Sequence, residues 1–398
     1  MNIRKASVLI SGIAMMLCVG ILYLWSIFQP HVVSYYRWPA TDVSLTSSIM
    51  ISAFVVGNIA AGLVQERIHP RITAMVGSAL FTLGLLLSST VKTPPMLYLT
   101  YGVMGGFGVG LVYCVVLAVL QKWYAAQMGL ITGLAVGFFG LSVVMLSPVV
   151  DMLIKNEGLV QTFRILAVGF FAILVIAALA LKNPAKDYYY AEVTKRINLD
   201  NVKHFKPRMM IKSPSYYCIF ISMFASSAAY LVIIPFISMI AISRGLSPQL
   251  SLIAVMGTGV TSAGGRIIAP IISEKIGRTT TIILCSLISA AACLLIISAK
   301  GTAYVAAVLL IALAYGGTGG TNPVVTTELF GARYSGANYG LVLLSIAFSS
   351  LFFSKLSAVI SGGGDFTRMF VICAAICVVP IFMMMLLRRR CKRLGKMI

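Results

Sequence analysis

The sequence predicts an all-α integral membrane protein in which twelve transmembrane helices form two bundles of six. Three observations carry this prediction: an apolar composition, a series of apolar runs of membrane-spanning length, and a repeat of sequence features between the two halves. Hydrophobic residues make up 59% and charged residues 10% of the 398 residues, and the mean hydropathy is +0.97. Soluble domains carry about 25% charged residues, so lipid must be the solvent for most of this chain.

Twelve apolar runs are long enough to cross a hydrocarbon core of about 30 Å as helices, which takes roughly 20 residues each. We number them spans 1 to 12 and predict them at residues 6–28, 43–65, 72–91, 97–120, 129–150, 162–181, 216–243, 249–272, 279–299, 303–326, 336–360 and 368–387. The first run is long, lacks a small-residue cleavage site and precedes eleven further spans. We therefore interpret it as span 1 and not as a signal peptide.

The distribution of Lys and Arg predicts the orientation in the membrane. An even number of spans puts both termini on one side. Of the 31 Lys and Arg residues, 22 lie on that side, 7 lie on the opposite side, and Arg266 and Lys355 lie within spans. We call the first side the basic side, and the positive-inside rule makes it cytoplasmic. The net charge of +21 is then a topology signal with contact to membrane lipid as a secondary effect, and we expect no nucleic acid partner.

A long polar interval and two repeated sequence features divide the chain into halves. Glu66 after span 2 is followed 208 residues later by Glu274 after span 8, and Trp123 after span 4 is followed 207 residues later by Phe330 after span 10. Parallel repeats of six helices characterise one large class of secondary transporters. The predicted domains are an N-terminal six-helix bundle, a cytoplasmic linker, a C-terminal six-helix bundle and a basic cytoplasmic tail, at residues 1–181, 182–215, 216–387 and 388–398.

Five motifs in order carry a resemblance to a known family. The pattern Gly62-x-x-x-Glu66-Arg67-x-x-x-Arg71, repeated after span 8, resembles the loop signature of the major facilitator superfamily. Four further segments are similar to its oxalate/formate antiporter family: Gly20-x-x-Tyr23-x-Trp25-Ser26-x-Phe28, Gly106-x-Gly108-x-Gly110-x-x-Tyr113, Thr327-Glu328-x-Phe330-Gly331 with Ala337-Asn338-Tyr339-Gly340, and Gly265-Arg266, which stands where the family has an arginine in span 8.

The resemblance implies two bundles of the major facilitator type that rock to take up or exchange small carboxylates such as oxalate, formate, lactate or pyruvate. Related monocarboxylate carriers couple lactate or pyruvate to protons, so protons are a further expected partner. The family and the compact loops suggest a bacterial inner membrane protein that is monomeric and needs no cofactor or metal.

Arg266 is the strongest candidate for substrate binding. A cation at the bilayer centre costs about +2.5 to +3.5 kcal/mol on insertion scales. Thr258 and Ser262 precede Arg266 at four-residue spacing, so the three residues lie on one face of the helix. A guanidinium can hold a carboxylate through two parallel hydrogen bonds. The alternative is that Arg266, six residues from the predicted end of span 8, reaches the membrane interface.

The second intramembrane cation, Lys355 in span 11, allows both interpretations, binding and extension to the interface. In the oxalate-exchanging branch of the family, the lysine of span 11 falls at the position of Ile346, and a second aromatic ring stands at the position of Gly319. These departures favour a monocarboxylate over a dianion. All ten Asp and Glu residues lie in predicted loops or at helix ends, so Arg266 has no obvious intramembrane counter-ion, and an anionic substrate can supply one.

Further candidates follow from the motifs. The proposed substrate-binding residues are Arg266, Tyr113, Tyr23, Trp25, Tyr315, Asn322 and Lys355. The repeated loop charges suit a cytoplasmic latch that holds one conformer, and these gating residues are Glu66, Arg67, Arg71, Glu274, Lys275 and Arg278.

Other functional classes fit less well. An enzyme lacks support because the chain has no Gly-rich phosphate loop after a strand, no His/Cys metal spacing, and three histidines that all fall in loops. A sensor lacks an output domain, and a channel does not explain a two-half repeat with latch motifs. We therefore expect a secondary active transporter of small organic anions, either a proton-coupled monocarboxylate carrier or an oxalate/formate-type antiporter.

Overall fold

The computed structural model describes residues 3–64, 67–185, 204–234, 237–331, 333–360 and 367–393. All regular secondary structure in these ranges is helical, which confirms the all-α prediction. Many large apolar side chains are exposed on the outside of the bundle, among them Ile10, Val168 and Ile176. This is the arrangement expected when the surrounding solvent is lipid.

The first four spans match their predicted positions. Span 1 consists of Ile3–Val19, a short 3-10 segment and Trp25–Tyr36, and spans 2 and 3 are Ala40–Val64 and Pro70–Ser88. Span 4 starts at Pro94–Leu97, continues as a π-helix over Tyr98–Gly105 and ends as Gly106–Trp123. The 3-10 segment of span 1, Gly20–Leu24, turns every three residues instead of every 3.6 residues and so changes which side chains face the same way.

Spans 5 and 6 form one helical element, Met128–Ala180, interrupted at Gly158. The glycine has φ 76° and ψ 168°, a left-handed φ that favours glycine because it carries no Cβ. Eleven helices among the described residues are long and apolar enough to span a membrane, and one of them covers 56 residues. At 1.5 Å per residue it is well over twice the length that one crossing needs, so the turn at Gly158 yields the twelfth span. The predicted loop before span 6 is helical instead.

The second half contains the remaining spans. Their helices are Pro214–Ser226, Ala228–Ile233 and Ile237–Ser243 for span 7, Pro248–Ile276 for span 8, Arg278–Ser298 for span 9, Gly301–Phe330 for span 10, Ser335–Ile360 for span 11, and Thr367–Ile376 with Val378–Arg393 for span 12. Within the predicted linker, Pro207–Ile211 forms a short helix, whereas residues 186–203 lie outside the described ranges. The helix of span 12 also includes the first tail residues, 388–393.

The most extensive contacts between the halves are those of span 2 with span 11 and of span 5 with span 8. Small residues make both contacts close. A Cβ on Gly62 of span 2 would overlap the backbone of Ala337 in span 11, and a Cβ on Gly137 of span 5 would lie 2.5 Å from the side chain of Ile267 in span 8. Such small residues let helices pack closely in lipid. Span 8, which carries Arg266, is therefore pressed against the other half of the chain.

Candidate functional site

A cavity lies between the two halves. Spans 1, 2, 4 and 5 line it from one half and spans 7, 8, 10 and 11 from the other. Its lining residues are Leu22, Tyr23, Ile51, Phe54, Tyr113, Val136, Phe139, Met223, Arg266, Tyr315, Gly319, Tyr339, Leu343 and Ile346. One guanidinium and four tyrosines are thus set in an otherwise apolar wall, which is the composition typical of a small-ligand site.

Arg266 points into this cavity and not toward the membrane interface. The residue is 3% exposed. Its Nη2 donates a hydrogen bond of 2.9 Å to the hydroxyl of Tyr23 in the other half of the chain. Its guanidinium carbon also lies 5.0 Å from the ring centroid of Tyr23 and 5.7 Å from that of Tyr315, within the range of cation–π attraction.

The remaining hydrogen-bonding capacity of Arg266 is unused. Within the described ranges, its Nε and Nη1 are buried without a hydrogen-bond partner, and no carboxylate forms an ion pair with it. A buried cation without a counter-ion is costly. The guanidinium therefore presents free N–H groups, and a carboxylate could accept them in the two-pronged geometry that guanidinium groups favour.

Glycines make room for this guanidinium. A Cβ on Gly140 of span 5 would overlap Nη1 of Arg266, and a Cβ on Gly319 of span 10 would lie 3.8 Å from Nε. Gly320 also packs directly against the backbone of Arg266. Span 8 is clamped between spans 5 and 10 at the level of its arginine, so the position of the side chain is set by backbone contacts on both sides.

Aromatic rings from the N-terminal half of the chain form one wall of the cavity. Tyr113 packs against Phe54 and Phe139 with centroid distances of 5.3 Å and 5.1 Å, and Tyr23 lies 5.4 Å from Phe139. On the opposite side, Tyr315 stacks on Tyr230 at 4.1 Å. These contacts hold the hydroxyl-bearing rings in place around Arg266, because closely packed rings have few alternative rotamers.

Tyr339 was not selected from the sequence, although it belongs to the quoted Ala337-Asn338-Tyr339-Gly340 segment. It is 5% exposed and lines the cavity, and its hydroxyl interacts with that of Tyr113. The residues around Tyr339 in the sequence do not indicate which side of span 11 faces the cavity.

Two predicted binding residues do not line the cavity. Trp25 is 3% exposed and packs against Tyr101 at a centroid distance of 4.7 Å inside the N-terminal half. Asn322 is 1% exposed, and its Nδ2 donates to the backbone oxygen of Thr318 at 2.8 Å. The site therefore keeps Tyr23, Tyr113, Tyr315 and Arg266 from the predicted set.

The two positions at which this sequence departs from the oxalate-exchanging branch of the family both lie at the cavity. Ile346 and Gly319 line it, so an apolar side chain and a glycine stand where a cation and an aromatic ring would act on a bound ligand. Lys355 belongs to the helix Ser335–Ile360, but its side chain lies outside the described residues.

The predicted gating residues fall into two groups. Arg278 is 4% exposed and binds Glu328 of span 10 through Nε at 3.1 Å and Nη2 at 2.8 Å, while Nη1 donates to the oxygen of Pro270 at 2.8 Å. Glu274 lies 3.7 Å from Arg278, and its carboxylate also meets Gly129 at the start of span 5. A carboxylate at a helix N-terminus is favourable, and this contact connects the halves.

For three further gating residues the structure describes no contact with this network. Lys275 and Arg67 are exposed, and Arg71 is partly buried with an Nε that has no hydrogen-bond partner in the described part of the chain. Glu66 lies outside the described residues.

Comparison with known proteins gives the family. The sequence profile of the Major Facilitator Superfamily matches residues 8–354. The chain belongs to this superfamily. Solved structures of members of this superfamily have the same fold as this chain. The fucose transporter FucP in its outward conformation matches with a TM-score of 0.72 and 14% identity, and the match covers 97% of this chain and 99% of FucP. The proton:xylose symporter XylE has a TM-score of 0.75 and 14% identity, with 99% and 96% covered. The predicted major facilitator fold is confirmed.

Relatives of this superfamily member include carboxylate transporters. An uncharacterized transporter of Escherichia coli (strain K12), YhjX, is 26% identical over 346 residues, covering 86% of this chain and 85% of the relative. The oxalate:formate antiporter of Oxalobacter formigenes is 23% identical over 365 residues, with 89% and 84% covered. Monocarboxylate transporter 13 of Bos taurus is 29% identical over 168 residues, with 42% and 39% covered. The protein is thus a multi-pass membrane transporter and not an enzyme.

Proposed function

We propose that this transporter carries small organic anions by alternating access, and that its substrates are monocarboxylates such as lactate or pyruvate moved together with a proton. The observation that carries the proposal is the unpaired guanidinium of Arg266 inside a tyrosine-lined cavity between the two halves. The carboxylate would bind Nε and Nη1, and hydroxyl groups of the surrounding tyrosines would donate to its oxygens. Arg266, Tyr23, Tyr113 and Tyr315 form this site in our proposal.

The charge of the lining supports a monovalent substrate. Arg266 is the one charged residue in the wall of the cavity as described, and Ile346 provides apolar surface where a second cation would favour a dianion. One guanidinium balances one carboxylate, and a second carboxylate would enter a low-dielectric cavity without a partner, which is costly. The methyl group of a lactate- or pyruvate-like substrate suits Ile346, Leu343 and Phe139.

A second candidate is exchange of the oxalate/formate type. The similarity to the oxalate:formate antiporter extends over 89% of this chain, whereas the similarity to monocarboxylate transporter 13 covers 42%. Exchange requires no proton site. Proton symport would require the proton to travel with the substrate, because the described lining contains no acidic residue.

Alternating access would use the contacts between the halves. We propose that Glu274, Arg278 and Glu328, with the other loop charges, hold the basic side closed until substrate binding shifts the balance between conformers. In this proposal residues 1–181 and 216–387 move as two bodies, the basic side is cytoplasmic, and the membrane is the bacterial inner membrane.

Counterflow in proteoliposomes tests the function. Vesicles loaded with unlabelled lactate, pyruvate, oxalate or formate are diluted into the matching labelled anion. We expect accumulation of labelled lactate or pyruvate, and a pH gradient, acidic outside, that drives net uptake in unloaded vesicles. Accumulation of oxalate against formate without an effect of the pH gradient would favour the exchange candidate. Failure of all four anions to accumulate or to bind would reject the proposal.

A further inference from the structure

A second, smaller space lies next to the central cavity, and in the described conformation it has room for about one water molecule. Both halves of the chain contribute to it, spans 2 and 4 from the first and spans 10 and 11 from the second. The residues that line it include Asn58, Cys114, Gln121, Thr327, Gly336 and Tyr339. We call this space the lower compartment. The described residues of its lining are uncharged.

The lower compartment lies between the central cavity and the basic side. In span 4 the central cavity is lined by Tyr113 and the lower compartment by residues up to Gln121. Eight residues of helix rise by about 12 Å, and span 4 ends on the basic side at Trp123. Spans 2, 10 and 11 show the same order, with Asn58 following Phe54, Thr327 following Gly319, and Gly336 preceding Leu343.

One residue belongs to the walls of both spaces. Among the described residues, Tyr339 alone lines both the central cavity and the lower compartment. Beyond the compartment, span 2 meets span 11 so closely that a Cβ on Gly62 would overlap the backbone at Ala337. The compartment is thus bounded by Tyr339 toward Arg266 and by a backbone contact toward the basic side.

Asn58 is an unexplained polar group in this compartment. It is 1% exposed, and neither its Oδ1 nor its Nδ2 has a hydrogen-bond partner among the described residues. Leaving buried polar atoms unpaired costs about 1–3 kcal/mol for each group, so such an amide calls for a water or a ligand. Neighbouring Gln121, by contrast, donates to Thr132 at 3.0 Å.

We infer that the lower compartment, once the halves move and widen it, is a transit site for the substrate carboxylate, in which Tyr339 separates the two stations and the amide of Asn58 donates a hydrogen bond to the passing carboxylate. This inference rests on the proposed function. A substrate released from Arg266 toward the basic side has to follow the interface between the halves, and the compartment occupies that interface. A neutral donor suits such a station, because a transit site must bind weakly enough to release its ligand.

The test separates binding from passage. Asn58→Leu removes the unpaired amide and keeps a similar volume, so we expect the protein to fold with an unchanged or raised melting temperature. Carboxylate affinity at the central cavity, measured by equilibrium binding to the purified protein, is expected to stay at the wild-type value, while counterflow slows by about tenfold for the loss of a hydrogen bond to a charged group. Thr73→Val is the matched control, since Thr73 is 5% exposed with an unpaired Oγ1 but lines neither cavity.

Cys114 provides a second readout in the intact chain, because it is 3% exposed and lines the lower compartment. We expect sulfonatoethyl methanethiosulfonate, a negatively charged thiol reagent, to modify Cys114 when it is added on the basic side, and the transported carboxylate to slow this reaction; peptide mass spectrometry quantifies it. Wild-type counterflow in Asn58→Leu, or a Cys114 that stays unmodified while the wild type exchanges substrate, would overturn the inference and leave an ordered water as the occupant. A wild type that neither binds nor exchanges any carboxylate would reject the inference together with the proposed function.

Discussion

Arg266 in span 8 donates a hydrogen bond of 2.9 Å to the hydroxyl of Tyr23 in span 1, and this contact crosses the boundary between the two halves of the transporter. The guanidinium is thereby oriented by one half while its backbone belongs to the other. Because Nε and Nη1 remain unpaired, the arrangement couples the position of an anion-binding group to the relative placement of the halves.

The first prediction concerns the guanidinium. Arg266→Lys is expected to abolish counterflow of the transported carboxylate while the protein still folds, because an ammonium is a point charge that cannot hold a carboxylate bidentately or keep the contact with Tyr23. Counterflow and the melting temperature are measured on the same preparation. Arg208→Lys, the same substitution at an exposed position without an assigned role, is the control and should leave counterflow intact. Near-normal transport by Arg266→Lys would remove the assigned role.

The second prediction concerns the orienting hydroxyl. Tyr23→Phe is expected to raise the KM of counterflow by about tenfold, since it removes a hydrogen bond to a charged group worth roughly 1.5–3 kcal/mol. Tyr101→Phe is the matched control: Tyr101 is 0% exposed with an unpaired hydroxyl and does not line the cavity. Equal KM values for the two variants would contradict a specific role of the Tyr23 hydroxyl.

The third prediction uses a residue that is expected to act only through Arg266. Gly140→Ala places a methyl group where Nη1 of Arg266 lies, so the guanidinium must move, and we expect binding of the carboxylate to fall at least as far as in Tyr23→Phe. Gly264→Ala is the control, because nothing lies within 4 Å of a Cβ at that neighbouring position. Equilibrium binding and counterflow are compared for both variants. If Gly140→Ala bound substrate like Gly264→Ala, the described position of the guanidinium would be wrong.

The fourth prediction tests what sets substrate charge. Ile346→Lys introduces a second cation at the wall of the cavity, and we expect the preference to shift from lactate or pyruvate toward oxalate, because each carboxylate then has a partner. Competition of each unlabelled anion against the labelled substrate measures the shift. Ile346→Met controls for the change in shape without a charge. An unaltered order of preference in Ile346→Lys would show that this position does not face the ligand.

The fifth prediction concerns the ion pair at the basic side. Glu328→Ala removes the nearer carboxylate partner of Arg278, which is 4% exposed, and leaves Glu274 at 3.7 Å. Removal of one partner of a buried pair costs about 3 kcal/mol or more. We expect a clearly lowered melting temperature. The exposed pair of Lys155 with Asp151 is the comparison, since its side chains are 68% and 46% exposed; Lys155→Gln is expected to change stability by less than about 1 kcal/mol. Equal effects of the two substitutions would contradict the structural role of Arg278.

Some features of the site were readable from sequence because they depend on local properties. Arg266 stands out because a cation within an apolar run is costly wherever the helix is placed. Tyr23 and Tyr113 were selected from motifs that resemble a family, and the structure brings both rings to the cavity. Their facing partner Tyr339 was not selected, because nothing in the neighbouring residues tells which side of span 11 faces the other half.

Other features needed the packed structure. Trp25 was expected beside Tyr23, but the 3-10 segment Gly20–Leu24 alters the helical phase, and Trp25 lies against Tyr101 instead. The sequence predicted a loop between spans 5 and 6, whereas the structure continues as helix there and turns at Gly158 alone.

The sequence by itself determined that the chain lies in lipid, that it is helical, how often it crosses the membrane and that span 8 carries a lone arginine. Hydropathy, helix length and the cost of a buried charge can all be evaluated from consecutive residues. Only the tertiary structure decided which hydroxyls surround that arginine, that Ile346 and Gly319 face the same cavity, and that Tyr339 separates this cavity from a second space next to Asn58. The rotation of each helix about its own axis is set by glycine-mediated contacts between distant segments, and such contacts have no counterpart in local sequence.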